Sequence, residues 1–174
     1  MTFEVHSDIT NRSMAVAARA MRRVLRRKRN IIWAIFDWSV FFINALLLIP
    51  FDGEPFTLDA GTVISLLVEV MVLSVLLFQD RLNGMIACKN TLAGTKDYHI
   101  AFGEESYTVV TEVITSTFRY ELIDAMAESQ DYMILLMKKR FAQPLDKRTL
   151  TGGTVEEFKR FLEEKTGKTF RRVK

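Results

Sequence analysis

The stretch "RRVLRRKRNIIWAIFDWSVFFINALLLIP" (Arg22–Pro50) places six basic residues within eight positions, directly before a long apolar run. In the nineteen residues from Ile31 to Ile49, the clearly polar side chains are those of Asp37, Ser39 and Asn44. At a rise of about 1.5 Å per residue, a helix of this length covers roughly 28 Å, which is close to the hydrocarbon thickness of a bilayer. The stretch therefore predicts a membrane-spanning helix with cations at its N-terminal end.

A second segment of the same length, "AGTVISLLVEVMVLSVLLF" (Ala60–Phe78), contains one charged residue, Glu69. Its thirteen strongly apolar residues gain roughly 4 to 8 kcal/mol on insertion, which exceeds the cost of about 2.5 to 3.5 kcal/mol for a central acid. The intervening "PFDGEPFTLD" (Pro50–Asp59) has two prolines and a glycine, which predict a turn. Residues 31–79 are therefore predicted to form a transmembrane helical hairpin.

The placement of charge predicts the orientation of this hairpin. Residues 30–79 contain five acids and no Lys or Arg, so all 24 basic residues lie outside that region. Because basic flanks remain on the cytoplasmic side, the acidic loop is predicted to be translocated. The sequence thus indicates a two-pass protein of the plasma membrane with both termini in the cytoplasm.

Asp37 and Glu69 lie inside segments that hold no Lys or Arg. A carboxyl group in hydrocarbon either loses its charge or finds a partner. In an antiparallel hairpin, Glu69 lies about one turn from both Asp37 and Asn44, which predicts an intramembrane polar contact among the three. This contact either holds helices or protomers together, or belongs to the proton or ion path of a small transporter or channel component.

The segment before the first span, "ITNRSMAVAARAMRRVLRRKR" (Ile9–Arg29), has apolar residues at helical spacing and basic residues over much of the remaining surface. Asp8 or Thr10 is the expected N-cap, and "FEV" (Phe3–Val5) is a possible strand. The pattern predicts a helix that lies on, or rises from, an anionic leaflet. The expected lipid-headgroup contacts are Arg22, Arg23, Arg26, Arg27, Lys28 and Arg29. A pI near 9.1 is also compatible with nucleic acid, but aromatic interleaving and a recognition fold are missing, so no nucleic-acid partner is predicted.

From Asp80 a helical continuation is predicted to end near Gly94, followed by β-rich runs: "DYHIAF", "SYTVVTEVI", "STFRYELI" and "YMILLMK". In "FRYELI", alternation predicts a strand with Phe118, Tyr120 and Leu122 on one face. Thr154 and Glu157 form a capping box for a last helix that Gly167 ends. Its core-facing stripe is Val155, Phe158, Phe161 and Leu162. The predicted class is α+β: an antiparallel β-roll closed by a C-terminal helix. The predicted domains are residues 1–30 (strand and basic helix), 31–79 (hairpin) and 80–174 (cytosolic roll).

This order of elements resembles the YcxB-like membrane proteins. "FRYELIDAMAES" (Phe118–Ser129) is similar to the family's aromatic strand followed by an isoleucine. "QPLDKRTL" is similar to its Pro-basic segment, with Pro144, Lys147 and Arg148 retained. The resemblance implies membrane location and a pleckstrin-homology-like (PH-like) C-terminal domain, and it implies no activity.

No catalytic motif is found in the sequence. Paired carboxylates, a glycine-rich phosphate loop and a nucleophile elbow are all missing, so no enzyme and no cofactor are predicted. The one cysteine, Cys88, excludes an intramolecular disulfide, and His6 and His99 are isolated in sequence, so no metal site is predicted.

Two further basic segments, "MKKRF" (Met137–Phe141) and Lys147–Arg148, together suggest either a lipid-binding patch or a solvated turn. The leading hypothesis is a non-enzymatic membrane protein that binds, senses or assists a partner. The expected partners are an anionic bilayer and either a second copy or another membrane protein. The alternatives are the transporter component and an enzyme that acts on lipid at the membrane surface.

Overall fold

The computed structural model describes residues 2–47, 59–137 and 141–173. Its contacts divide the chain into two compact units. One unit is Met1–Arg26 together with Asp80–Lys174, and the other is Arg27–Gln79. Most of the predicted turn Pro50–Asp59, namely residues 50–58, lies outside the described residues.

The first unit contains two four-stranded sheets. One has the order β1-β2-β3-β4, formed by β1 (Phe3–Asp8), β2 (Asp97–Phe102), β3 (Ser106–Thr111) and β4 (Thr115–Arg119). The other has the order β7-β6-β5-β8, formed by β5 (Ile123–Glu128), β6 (Tyr132–Met137), β7 (Phe141–Asp146) and β8 (Phe170–Arg172). All neighbouring strands are antiparallel except β5 and β8, which are parallel.

Strand β1 comes from a part of the chain far from its partner. It pairs with β2 over its full length, from Phe3 opposite Phe102 to Asp8 opposite Asp97. Its side chains alternate between buried and exposed, so one face contributes to the core. The whole hairpin region of the sequence is therefore inserted between two adjacent strands of one sheet.

The main core lies between the two sheets and the C-terminal helix, α4 (Val155–Thr166). Its largest fully buried side chains include Phe3, Ile100, Phe102, Tyr107, Met133, Leu135 and Phe158. A capping box joins Thr154 and Glu157 at the start of α4, and Gly167 ends the helix in the left-handed conformation. These features confirm the predicted α+β class with antiparallel sheets and a C-terminal helix.

All six residues of β6 are buried, because both of its faces are covered. Met133 and Leu135 face the main core, while Ile134 and Leu136 belong to a second cluster. In that cluster lie Ala17, Ala20 and Met21 of the N-terminal helical segment, which consists of α1 (Asn11–Ala20) and a π-helical turn (Met21–Leu25). The apolar face of this segment therefore packs on the sheet, and its predicted position on, or rising from, an anionic leaflet stays a prediction.

The prediction of one continuous strand over "FRYELI" is wrong. β4 ends at Arg119, and Tyr120–Leu122 form a 3-10 turn that carries the chain from the first sheet to the second. Tyr120 is buried at this corner and its hydroxyl donates to the carbonyl of Gly103 at 2.7 Å. Of the predicted face, Tyr120 is buried in the core and Phe118 packs partly against it, whereas after the change of sheet the core residue is Ile123 and not Leu122.

Two other boundaries differ from expectation. Helix α3 (Ala60–Lys89) ends five residues before Gly94, and Thr91 and Thr95 make turn hydrogen bonds in the segment that follows. Strand β8 was not predicted, because three residues are too short to show a period of two. Thr10 caps α1, and the strand predicted at Phe3–Val5 extends to Asp8.

Candidate membrane-associating site

The second unit consists of α2 (Arg27–Leu47) and the part of α3 up to Gln79. Large apolar side chains cover its surface, among them Ile32, Phe36 and Phe42 of α2 and Ile64, Leu67 and Val70 of α3, each more than half exposed. Only 6% of the most apolar window of α3 is buried. A surface of this kind is unfavourable in water and favourable in lipid.

Within the described residues, one helix, α3, is long and apolar enough to cross a membrane. The first predicted span, Ile31–Ile49, is helical up to Leu47, and its last residues lie outside the described part of the chain. The finding agrees with membrane association of at least one segment.

Polar side chains in this unit concentrate on the less exposed stripe of each helix. On α2 the stripe includes Asp37 and Asn44, and on α3 it includes Thr62, Ser65, Glu69 and Gln79. Two exposed serines, Ser39 and Ser74, donate their hydroxyls to carbonyls one turn earlier, which satisfies them within their own helix. This apolar-outside, polar-inside distribution is typical of helices in lipid.

The predicted bond between Glu69 and Asn44 is not formed. The Asn44 amide donates to the carbonyl of Val40 at 3.3 Å in its own helix. Glu69 is 8% exposed, and neither of its carboxylate oxygens has a hydrogen-bond partner among the described residues. Asp37, Asn44 and Glu69 thus share sheltered helix faces, but no described hydrogen bond joins them.

The other buried acid of α3, Asp80, has abundant partners in the first unit. Arg22 donates to both of its oxygens, through Nε at 2.8 Å and through Nη2, and the Nε of Arg19 donates at 3.3 Å. The hydrogen bond that Arg22 donates to Asp80 raises the pKa of Arg22, and burial of the guanidinium opposes this only in part. This arginine pair ties the N-terminal helical segment to α3.

The predicted headgroup residues therefore separate into two groups. Arg22 is half-buried and pairs with Asp80, and its role as a lipid contact stays a prediction. Arg23, Arg27, Lys28 and Arg29 are exposed and Arg26 is half-buried. The chain bends at Arg26, where the helical conformation is interrupted between the π-helical turn and α2.

The two buried acids of α3 are expected to respond in opposite directions when each is changed to its amide. Asp80→Asn leaves two guanidinium groups without a counter-charge, so it should lower the free energy of unfolding by about 2 kcal/mol. Glu69→Gln removes a carboxyl group that has no described partner, so stability should stay constant or rise. Thermal unfolding of the full chain in detergent measures both. A marked loss of stability in Glu69→Gln would show instead that this carboxyl has a partner.

Close packing supports the same α1–α3 junction. A Cβ on Gly84 would lie 2.6 Å from the Cα of Ala15, so the two helices touch at this glycine. The Sγ of Cys88 lies 3.6 Å from the carbonyl oxygen of Ile9. Arg19, Asp80 and Gly84 were not predicted as a set from the sequence, although a glycine inside a helical run ("RLNGMIACK") can have a packing reason.

In the second basic patch, the described cations Lys147 and Arg148 are paired with carboxylates. The ammonium of Lys147 contacts Glu128 at 2.6 Å, Lys159 contacts the same carboxylate at 2.9 Å, and Arg148 pairs with Asp146 at 2.6 Å. These pairs support the alternative of a structural turn for Lys147–Arg148. Residues 138–140 of "MKKRF" lie outside the described residues.

The Glu128 network predicts an acid-sensitive contribution to stability. Burial acts to raise the pKa of Glu128, but hydrogen bonds and charge from Lys147 and Lys159 outweigh it, so the pKa falls below its ordinary value of 4.5. A depressed carboxyl pKa stabilises the fold above the unfolded value, and the contribution disappears as pH falls through the folded value. Glu128→Gln should cost about 1–2 kcal/mol near neutral pH.

Thermal unfolding of the wild type and of Glu128→Gln over a range from about pH 7 to pH 3 tests this linkage. The difference in Tm should shrink below about pH 4.5. Glu105→Gln, at an exposed position of the β2–β3 turn, is the matched control. A difference in Tm that is constant over the whole range would contradict the linkage.

The fold and the site define an α+β protein with a membrane-length apolar helix. Residues 102–162, from the end of β2 to Leu162 in α4, match the family model of YcxB-like proteins. Over this segment the chain is similar to YcxB-like proteins, which supports the predicted resemblance. Among curated proteins, no match to the chain is found.

Proposed function

We propose that this chain is a non-enzymatic, two-pass protein of the bacterial plasma membrane that displays a PH-like roll on the cytoplasmic side. Its role is to bind, sense or assist a partner at the inner leaflet. A helical hairpin, α2 with α3, anchors it. Both termini lie in the cytoplasm.

The pairing of β1 with β2 carries this proposal. Residues 3–8 and 97–102 form one antiparallel ladder, so the chain between them has to leave and return to the same side of any membrane it crosses. If α3 crosses, an even number of crossings requires a second one. In this proposal α2 supplies it, because it is the other long helix of the described chain between these strands and exposed large apolar side chains cover much of its surface.

The distribution of charged residues supports the proposed cytoplasmic location of the sheets. Six bases at Arg22–Arg29 lie just before α2 and in its first turn, Arg81 and Lys89 lie in the last part of α3, and the connection between the helices is acidic. By the positive-inside rule, the basic flanks and the sheets attached to them remain in the cytoplasm.

The two packed sheets with a closing C-terminal helix support a PH-like description of the roll. In this proposal the membrane hairpin is an insertion after the first strand. The roll is then fixed close to the lipid surface, where a binding module can meet both headgroups and membrane partners.

Cysteine accessibility tests the topology. In a Cys88→Ala background, Gly53→Cys should react with a membrane-impermeant maleimide applied to intact spheroplasts. Glu105→Cys, in the β2–β3 turn, should react only after permeabilisation. Labelling of both positions from the same side would overturn the two-pass arrangement.

The proposed lipid contact involves the four exposed bases Arg23, Arg27, Lys28 and Arg29. Each base near an anionic leaflet is worth about 1 kcal/mol of attraction at most. Changing all four to Gln should reduce the anionic lipid that co-purifies with the full chain, as measured by mass spectrometry. The matched control changes four exposed arginines elsewhere, Arg119, Arg160, Arg171 and Arg172. Equal lipid loss in both variants would contradict a dedicated contact.

A further inference from the structure

Both histidines of the chain lie on the outer face of the first sheet. His6 of β1 is directly opposite His99 of β2, and Asp8 is directly opposite Asp97. Glu4, two residues before His6, projects from the same face. Two residues isolated in the sequence are thus brought into one cluster of two imidazoles and three carboxylates.

The polar atoms of this cluster converge. The Nε2 of His6 lies 3.3 Å from a carboxylate oxygen of Asp97 and 3.8 Å from one of Asp8. Ligand atoms of His6, Asp8 and Asp97 all lie within 4.8 Å of one another. Two ligands that each lie about 2.0–2.1 Å from a tetrahedral metal are separated by roughly 3.3 Å. The His6–Asp97 separation equals that distance, and small rotations of exposed side chains bring the Asp8 oxygen to it as well.

His99 extends the donor set. Its Nε2 lies 3.5 Å from a carboxylate oxygen of Glu4. Side chains directly opposite each other in an antiparallel pair have Cβ atoms about 4.5–5.5 Å apart. A rotation of its side chain is sufficient to bring this second imidazole towards His6.

The charge of the cluster favours a bound cation. Asp8 and Asp97 are like charges placed directly opposite each other, an arrangement that destabilises a sheet. In the described part of the chain, no Lys or Arg forms an ion pair with Glu4, Asp8 or Asp97.

The backbone beneath the cluster is held from two sides. The carbonyl of His6 accepts from the hydroxyl of Thr149, and the carbonyl of Asp8 accepts from the hydroxyl of Ser13 at 3.0 Å. The amide of Ile9 donates to the carbonyl of Lys96 at 2.6 Å, just beyond the Asp8–Asp97 pair. Donors on such a fixed backbone are preorganised for a ligand.

We propose that His6, Asp8 and Asp97, with His99 as an additional donor, form a binding site for a divalent transition-metal ion of the zinc class. Imidazole with carboxylate selects zinc and its neighbours over magnesium and calcium, which prefer all-oxygen sites. The ion cross-links β1 to β2, and therefore joins the chain before the inserted hairpin to the chain after it.

Titration of the full chain in detergent tests the site. The protein carries an affinity tag without histidine and is first stripped with a chelator. Co²⁺ should bind with about one equivalent, give the visible absorption bands of a nitrogen- and oxygen-ligated ion, and be displaced by Zn²⁺ but not by excess Mg²⁺. Zn²⁺ should also raise Tm, because it binds the folded state.

Three substitutions and a control separate the site from adventitious binding. His6→Ala and Asp97→Asn should each weaken Zn²⁺ binding by about 10–100-fold, and His99→Ala should weaken it less. Glu105→Gln, an exposed acid on the adjacent turn, should change nothing. The altered side chains are exposed, so far-UV circular dichroism should show an intact fold. Wild-type binding no tighter than that of His6→Ala, or no Co²⁺ bands at all, would overturn the proposal.

Discussion

Gly152→Ala is expected to lower the free energy of unfolding by about 4 kcal/mol, because two independent costs add. Gly152 has φ of +87°, a conformation that L side chains rarely adopt. A Cβ at this position would also overlap the carbonyl oxygen of Thr2 and lie 3.1 Å from the Cα of Phe3. These neighbours are backbone atoms, so relief requires β1 to move away from the segment that precedes α4. We expect the Tm of Gly152→Ala in detergent to be lower than that of the wild type by roughly 10 °C.

Gly167→Ala is the matched control for that change. Gly167 has φ of +66°, but a Cβ there would meet nothing within 4 Å. Gly167→Ala should therefore lower the free energy of unfolding only by the conformational cost, about 1 kcal/mol. Hydrogen exchange should rise at β1 and β2 in Gly152→Ala and remain normal there in Gly167→Ala. Equal stability losses in the two variants would show that the close approach of β1 adds nothing.

Gly84→Ala is expected to lower the free energy of unfolding by about 3 kcal/mol. A Cβ would lie 2.6 Å from the Cα of Ala15 and 2.9 Å from the carbonyl carbon of Met14, so α1 and α3 would have to separate. Overpacking of this kind typically costs about 1–3 kcal/mol, occasionally more, and rigid backbone on both sides places this site at the upper end. Separation would also break the bonds from Arg19 and Arg22 to Asp80.

The same substitution at Gly61, in the same helix, provides the comparison. A Cβ there would meet the Asp59 side chain at 3.6 Å, an ordinary contact. Since alanine is favoured over glycine in helices by up to about 1 kcal/mol, Gly61→Ala should be neutral or stabilising. If Gly84→Ala were equally well tolerated, the α1–α3 contact would not be a close one.

Local chemistry made several elements predictable from sequence. Thr154 and Glu157 cap α4 as expected, and Gly167 ends it, because capping depends only on residues three or four positions apart. Alternation located β1, β2 and β3, since a strand with one buried face shows a period of two whatever its partner. The YcxB-like resemblance was confirmed for the same reason, because its motifs are contiguous.

Long-range partners were not predictable. The apolar stripe of the N-terminal helix was located from the sequence. The sequence does not show which surface packs against such a stripe, and in the structure that surface includes β6. Arg22 was chosen for its charge, yet its partner Asp80 lies 58 positions away. The candidate metal site was not predictable for the same reason, because His6 and Asp97 become neighbours only when β1 pairs with β2 in the folded chain.

The insertion of the hairpin after β1 also affects how the protein is made. β1 emerges first from the ribosome, but its partner β2 is synthesised only after α2 and α3. In the proposed two-pass arrangement, the first strand stays unpaired while both helices are inserted into the membrane, and closing so long a loop is slow. The sheet could then be completed only in chains whose two helices return to the side on which synthesis began, so that misinserted chains would keep an unpaired strand.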